Sequence, residues 1–274
     1  PGVMSLYWLY DLPNILLGVV VTSTFVLFAV AGHFLLRKRI ETWVGPYPGQ
    51  NDVVGIVSST LGIFFGITLG LVAVGTWDTF NSMDTLAQRE VLTATNLQRT
   101  LNTLPEPTRS DALRNLRDWA DIVITKSWPD QQVGQPPQGE AEKLEAIEAL
   151  LSAREPGRLL GGGGGGIQRQ ARSVLQLNAL MLAGDERAQS YDARLTAPLW
   201  WIVVIGVLLT IASTWFVAAN SETVKLFSTI SVSLMLGLLI FFLVATDNPF
   251  RGDLSISSDG FAELRDLIDA KLAE

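Results

Sequence analysis

The chain contains no cysteine and a single histidine, and only 17% of its 274 residues are charged. Without cysteine there are no disulfides, no thiolate metal sites, no iron–sulfur clusters and no thiol nucleophile. One histidine leaves a His-based triad or a multi-histidine metal site almost nothing to work with. Soluble domains ordinarily carry about 25% charged residues. The shortfall comes with 48% hydrophobic residues and a mean hydropathy of +0.31, which points to a membrane protein. Basic charge is also scarce: 20 Lys and Arg face 27 Asp and Glu, a net charge of -7. No nucleic-acid partner is expected, because neutralising phosphates needs a basic excess.

Four stretches have the roughly 20 apolar residues that a spanning helix needs. They run from about Leu12 to Leu36, Val53 to Trp77, Ala197 to Ala219 and Leu226 to Thr246. The first lacks a basic leader and is followed by Arg37-Lys38-Arg39 where a cleavage site would want small residues, so it reads as a retained span. Tyr7, Trp8, Tyr10, Trp43, Tyr47, Trp77, Trp200 and Trp201 sit near span ends, where aromatic rings favour the headgroup level. The spans divide the chain into a first hairpin (1–78), a polar segment (79–195), a second hairpin (196–246) and a tail (247–274). The predicted fold is an all-α membrane protein with a helical extramembrane bundle inserted between spans two and three.

Charge separates two faces. The N-terminus with Asp11, the large segment from Asp78 and the tail share one face with a net charge of -8, while the two short loops share the other with +1. Lys and Arg near span ends prefer the cytoplasm. The tribasic cluster thus predicts short loops inside and a large domain outside the cytoplasmic membrane of a bacterium.

The large segment reads as helices. Phe80, Met83, Leu86, Ala87, Val91, Ala94, Leu97 and Leu101 recur at helical spacing over 79–104, and Pro105 and Pro107 end the run. A second helix is predicted over 110–126, with Leu113, Leu116, Ile122 and Val123 buried and Trp128-Pro129 closing it. A third is predicted over 140–154 and a fourth over 168–195, separated by a break that contains six glycines (161–166). The acid pairs Glu140/Glu142 and Asp185/Glu186 read as solvated helix faces.

The second span carries a stripe of small residues. Gly55, Ser58, Ser59, Gly62, Gly66, Gly70 and Ala73 fall within about one third of the helix circumference. Such a stripe lets another helix approach closely, or borders a conduction path between subunits. Ser58, Ser59, Gly62, Phe64, Phe65, Gly66 and Gly70 are the pore-lining candidates, with the bulky apolar residues supplying a dewetting neck. His33 reads as a hydrogen-bonded interface residue rather than a proton relay. No charged residue lies deep in a span, which argues against an ion-coupled transporter. The glycine run lacks the Lys and Ser/Thr of a phosphate loop, and no nucleophile elbow or paired metal spacing appears, so no enzyme is expected.

The tail supplies a motif. Asp247, Asn248, Pro249, Phe250, Gly252 and Asp253 follow the last span directly; Pro249 and Gly252 favour a turn, and Phe250 can anchor in the membrane interface. The Asn-Pro-Phe-x-Gly-Asp stretch, the second span ending Val74-Gly75-Thr76-Trp77-Asp78, and Glu90 followed five residues later by Thr95 resemble the bestrophin-like family of bacterial membrane proteins. The resemblance implies an oligomeric anion channel with its helical bulk in the cytosol, opposite to the orientation that the basic cluster predicts. True bestrophins bind calcium at an acidic run after the fourth span. This chain keeps only Asp253 and a distant Asp259 there, so no cofactor or metal is expected.

The reading is a homo-oligomeric ion channel whose partners are the lipid bilayer, inorganic ions and copies of itself. Selectivity is open, since the resemblance implies anions while an acidic mouth concentrates cations. The alternative is a non-conducting membrane sensor or scaffold whose helical bundle binds a partner or ligand.

Overall fold

The computed structural model describes residues 10–44, 49–153, 165–190, 194–217 and 221–273. Tyr7, Trp8, Tyr47, residues 154–164 with the first four of the six glycines, and the side chain of Trp43 lie outside the described residues. All regular structure among the described residues is helical. In chain order the helices are α1 (Asn14–Val44), α2 (Gln50–Leu101), α3 (Thr108–Ile122), α4 (Trp128–Gln132), α5 (Glu140–Ser152), α6 (Gly165–Gln189), α7 (Ala197–Trp215), α8 (Glu222–Asp247) and α9 (Asp259–Leu272). The chain forms two compact units. One holds residues 1–80, 194–248 and 252–254; the other holds 81–193, 249–251 and 255–274.

The first unit contains the four helices that are long and apolar enough to cross a membrane. Lipid tails are as apolar as leucine, so these helices gain little from hydrophobic transfer and depend on close packing. Glycine provides that closeness at three places. A Cβ at Gly32 would overlap the Trp215 ring, one at Gly206 would overlap the Phe65 ring, and one at Gly237 would stand 3.0 Å from the Thr22 Cα. On α7, Val203, Val207, Ile211 and Trp215 repeat every four residues and form a single buried ridge. Leu17, Val21 and Ala29 of α1 and Ile240, Leu243 and Val244 of α8 belong to the same core. The Trp215 Nε1–H donates to the Ala29 carbonyl at 3.0 Å, which gives the indole its one required partner. Helix α2 is 52 residues long. At 1.5 Å per residue it extends about 78 Å, far beyond an apolar layer of about 30 Å. Its apolar half, 53–77, is the spanning part.

The second unit is a helical bundle. Met83, Ala87, Ala94, Leu97 and Leu101 of α2, Leu113, Leu116 and Trp119 of α3, Leu144, Ile147 and Leu151 of α5, and Leu177, Leu180 and Ala183 of α6 are buried in it. Of the periodic positions read from the sequence, Met83, Ala87, Ala94, Leu97, Leu101, Leu113, Leu116 and Val123 are buried, while Phe80, Leu86, Val91 and Ile122 are half-buried. Helix α9 packs on α3: Trp119 meets Phe261 edge-on at 5.9 Å, Arg117 pairs with Asp269 at 3.1 Å, and Arg265 pairs with Asp121 at 3.3 Å.

The second helix of this unit does not close at Trp128-Pro129. A π-helical turn at Val123–Ser127 carries the chain on into α4. Pro129 thereby falls in the first turn of α4, where a missing N–H costs nothing. The turn absorbs the proline that the sequence reading took as a stop.

Candidate functional site

Helix α2 is the least buried of the spanning helices. In its most apolar 18-residue stretch 6% of residues are buried, against 28%, 17% and 33% in α1, α7 and α8. Its glycines explain why. Among the described residues, a Cβ added at Gly55, Gly62, Gly66, Gly70 or Gly75 would meet nothing within 4 Å, in contrast to Gly32, Gly206 and Gly237. The glycines of the small-residue stripe are therefore, among the described residues, not sites of close packing inside the protomer. Of the sequence candidates, Ser59, Phe64, Gly66 and Gly70 are exposed, and Phe64 is 72% exposed. Ser58, Gly62 and Phe65 are half-buried, and the Phe65 ring rests against Gly206 of α7. The stripe thus straddles an edge, one side turned to α7 and the other turned out.

At the end of α1, His33 is 3% exposed and its Nε2 lies 3.3 Å from Glu222 Oε2 of α8. Arg37 Nη2 takes the other oxygen at 3.0 Å. His33 is thus a polar tie between two helices, as the sequence suggested.

The tail motif performs two separate tasks. In the first unit, Asp247 gathers three donors: the Leu195 backbone N–H at 2.8 Å on Oδ1, and Trp200 Nε1–H and Tyr10 O–H, each at 3.3 Å, on Oδ2. Gly252 has φ +104, a left-handed conformation that favours glycine, and a Cβ there would stand 3.3 Å from the Tyr10 carbonyl. Asp253 Oδ2 then accepts the Asn14 N–H at 2.8 Å, satisfying an orphan donor at the start of α1. In the second unit, the Ile256 N–H closes on the Pro249 carbonyl at 2.8 Å. Phe250 is 2% exposed and meets Trp128 edge-on at 5.3 Å, and Trp128 Nε1–H donates to the Ile256 carbonyl. The expectation that Phe250 anchors in the membrane interface is corrected: its ring is buried among aromatic side chains of the bundle.

One cluster escaped the sequence reading. The Arg187 Nε and Nη2 groups donate to Glu90 Oε2 and Oε1 at 2.5 and 3.2 Å. Nη2 also reaches both oxygens of Glu140, at 2.8 and 2.7 Å, and Nη1 donates to Gln131 Oε1 at 2.6 Å. The guanidinium carbon lies 5.7 Å from the centre of the Trp128 ring. Glu140 is therefore no solvated acid but a half-buried partner of a buried arginine; Glu186 pairs with Arg89 at the surface. Burial works against the Arg187 charge, but the fields of Glu90 and Glu140 and their hydrogen bonds outweigh it and raise its pKa. Burial raises the Glu90 carboxyl as well. Arg187 pulls it back only in part, and the nearby Glu140 charge adds to the rise. Burial is the main reason, and the second carboxylate on the same cation adds to it.

Among the described residues no three His, Asp or Glu side chains could share a metal ion. A shallow groove between α3 and α5, bordered by Asp111, Arg114 and Asn115, brings no nucleophile to a base.

The sequence matches the bestrophin-like domain over residues 19–261. The chain belongs to the bestrophin-like family. No curated protein sequence matches it. Among solved structures, a bestrophin homolog from Klebsiella pneumoniae is similar to this bestrophin-like chain with a TM-score of 0.63 at 14% identity, covering 95% of this chain and 99% of the other. Two point variants of a Klebsiella pneumoniae bestrophin homolog give TM-scores of 0.67 and 0.65 at 13% and 14% identity, covering 93% and 94% of this chain and 99% of theirs. At such identity the likeness is one of fold. With four apolar helices and this family, the bestrophin-like chain is an all-α membrane protein.

Proposed function

We propose that the protein is a homo-oligomeric ion channel in a bacterial cytoplasmic membrane, with copies of α2 surrounding a central path. The outward face of α2 carries the reading. A Cβ on its glycines would meet nothing within 4 Å among the described residues, and membership of the bestrophin-like family gives such a face a use. The path is lined by Ser59, Gly66 and Gly70, with Ser58 and Gly62 at its edge and Phe65 bracing the helix from behind on Gly206; Phe64, about 160° round the helix from Gly66, faces away from this path. Ions shed part of their hydration past hydroxyls and backbone dipoles. No reaction is catalysed. The short loops, with Arg37, Lys38 and Arg39, lie inside, and the helical bundle of the second unit lies outside. Family analogy favours anions, while the acidic large face favours cations.

The test is current through purified protein in planar bilayers, with protomers counted in projection images. Ion currents that fall in Ser59→Leu and in Gly66→Leu and are unchanged in Phe64→Ala are expected, from a ring with a central hole. Silence under all ionic conditions, or an isolated protomer with no axial opening, overturns the reading in favour of a scaffold. Reversal potentials in a salt gradient assign the ion. Protease cleavage within 130–166 in sealed inside-out vesicles would reverse the orientation.

A further inference from the structure

The basic cluster that set the orientation has a second use. Exposed apolar residues of α1 form one face of the helix: Val20, Leu27, Phe28, Ala31, Phe34 and Leu35. Phe34 is 61% and Leu35 80% exposed. At about 100° per residue, Lys38 and Arg39 continue this face at its end. Both are exposed, and among the described residues neither has an acidic partner within 4 Å. Arg37 differs, because it is committed to Glu222 across the α1–α8 contact. Both oxygens of Glu222 are engaged, one by Arg37 and the other by His33. Of three consecutive cations, one is neutralised inside the protomer, and among the described residues the other two have no acidic partner and stand over an apolar ledge.

We infer that this end of α1 binds the headgroup of an anionic phospholipid: Lys38 and Arg39 hold its phosphate, and the acyl chains lie along Leu27, Ala31, Phe34 and Leu35. Long basic side chains rise to the headgroup level while their stems cover apolar surface. A phosphate at the edge of the apolar layer is shielded less by water than one in solution, so each cation contributes more there than on a soluble surface. The headgroup must carry net negative charge. Lys38 and Arg39 repel the cation of a choline or ethanolamine headgroup, and the charge of Glu222, which could attract one, is already shared by Arg37 and His33. The inference does not depend on conduction or on which face is cytoplasmic, since it uses only α1, α8 and a bilayer.

The experiment uses the full chain in detergent with equal amounts of phosphatidylglycerol and phosphatidylcholine, read by native mass spectrometry. Retention of phosphatidylglycerol should exceed that of phosphatidylcholine about tenfold, which two cations at a membrane surface can supply. The preference should fall to near parity in the Lys38→Gln/Arg39→Gln double variant and persist in Arg99→Gln, which alters an exposed arginine in the second unit. Equal retention of the two lipids by the unaltered protein overturns the inference, as does a preference that survives the double variant. Displacement of the lipid by millimolar inorganic phosphate would make this a free-phosphate site and overturn it too. If the double variant does not fold, hydrogen exchange of residues 34–44 in the unaltered protein decides. Slower exchange in phosphatidylglycerol discs than in phosphatidylcholine discs supports lipid binding, and equal exchange refutes it.

Discussion

Arg187 of α6 and Glu90 of α2 meet side by side with neither side chain exposed to solvent. A fully buried pair of this kind is weak evidence of stability in itself, because desolvating two charges offsets much of their attraction. Removing one partner is different, since it leaves a charge buried and unpaired. Arg187→Met should destabilise the second unit by about 3–5 kcal/mol. Adding Glu90→Gln to that variant should recover part of the loss. Thermal unfolding followed by circular dichroism compares the two; a single variant as stable as the parent would refute the assignment.

The same cluster makes stability depend on pH in a definite direction. The Glu90 carboxyl has a raised pKa in the folded chain, so the folded state holds this proton more tightly than the unfolded chain does. Its contribution is fully present below the ordinary glutamate range and is lost as pH rises through the raised value. Relative to Glu90→Gln, the parent protein should therefore gain stability as pH is lowered from 8 towards 5. Melting curves of both proteins over that interval check it, and a gap that is constant or shifts the other way contradicts the account.

Glycines in the first unit should sort into two classes. Gly32→Ala and Gly206→Ala force the Trp215 and Phe65 rings to move, at a cost of about 1–3 kcal/mol each for overpacking. Gly66→Ala and Gly70→Ala meet no atom within 4 Å among the described residues and should leave protomer unfolding unchanged. On the channel reading, these two variants should instead change unitary current or the number of protomers per particle. Equal destabilisation in both classes would remove the distinction.

Asp247 should be intolerant of a side chain without oxygen. Asp247→Ala strands the Leu195 N–H, the Trp200 Nε1–H and the Tyr10 O–H; each donor left unpaired away from water costs about 1–3 kcal/mol. Asp247→Asn keeps one oxygen and should fall between Ala and the parent. The order of melting temperatures is the check.

Much of this architecture was legible in the chain. Span boundaries stand where charges interrupt apolar runs, at Asp52, Asp78, Lys225 and Asp247. The bundle helices are announced by periodic positions such as Leu113 and Leu116. The Glu90–Arg187 pair also left a trace: Glu90 falls in the apolar series Met83, Ala87, Ala94, Leu97, and Arg187 extends Leu177, Leu180, Ala183. A charge inside each of two apolar stripes points to a buried pair once both are noticed. Glu140 left no such trace, because it opens a helix where an acid is ordinary. Phe250 read as an interface anchor because its partner, Trp128, lies more than a hundred residues away. For α2, periodicity could say that small residues share a face, but only the packing of Phe65 on Gly206 shows how little of that face the protomer itself uses.

The π turn at Val123–Ser127 has a consequence for how such chains can vary. It contains one residue more than an α turn would hold, and Trp128 and Gln131 point at Arg187 only because of that added residue. Deleting a single residue there would rotate everything downstream by about 100°. The guanidinium would lose its aromatic support and its amide acceptor together, and Ile256 would lose the donor on its carbonyl. Chain length across these five positions is thus constrained more tightly than the identity of any one of them.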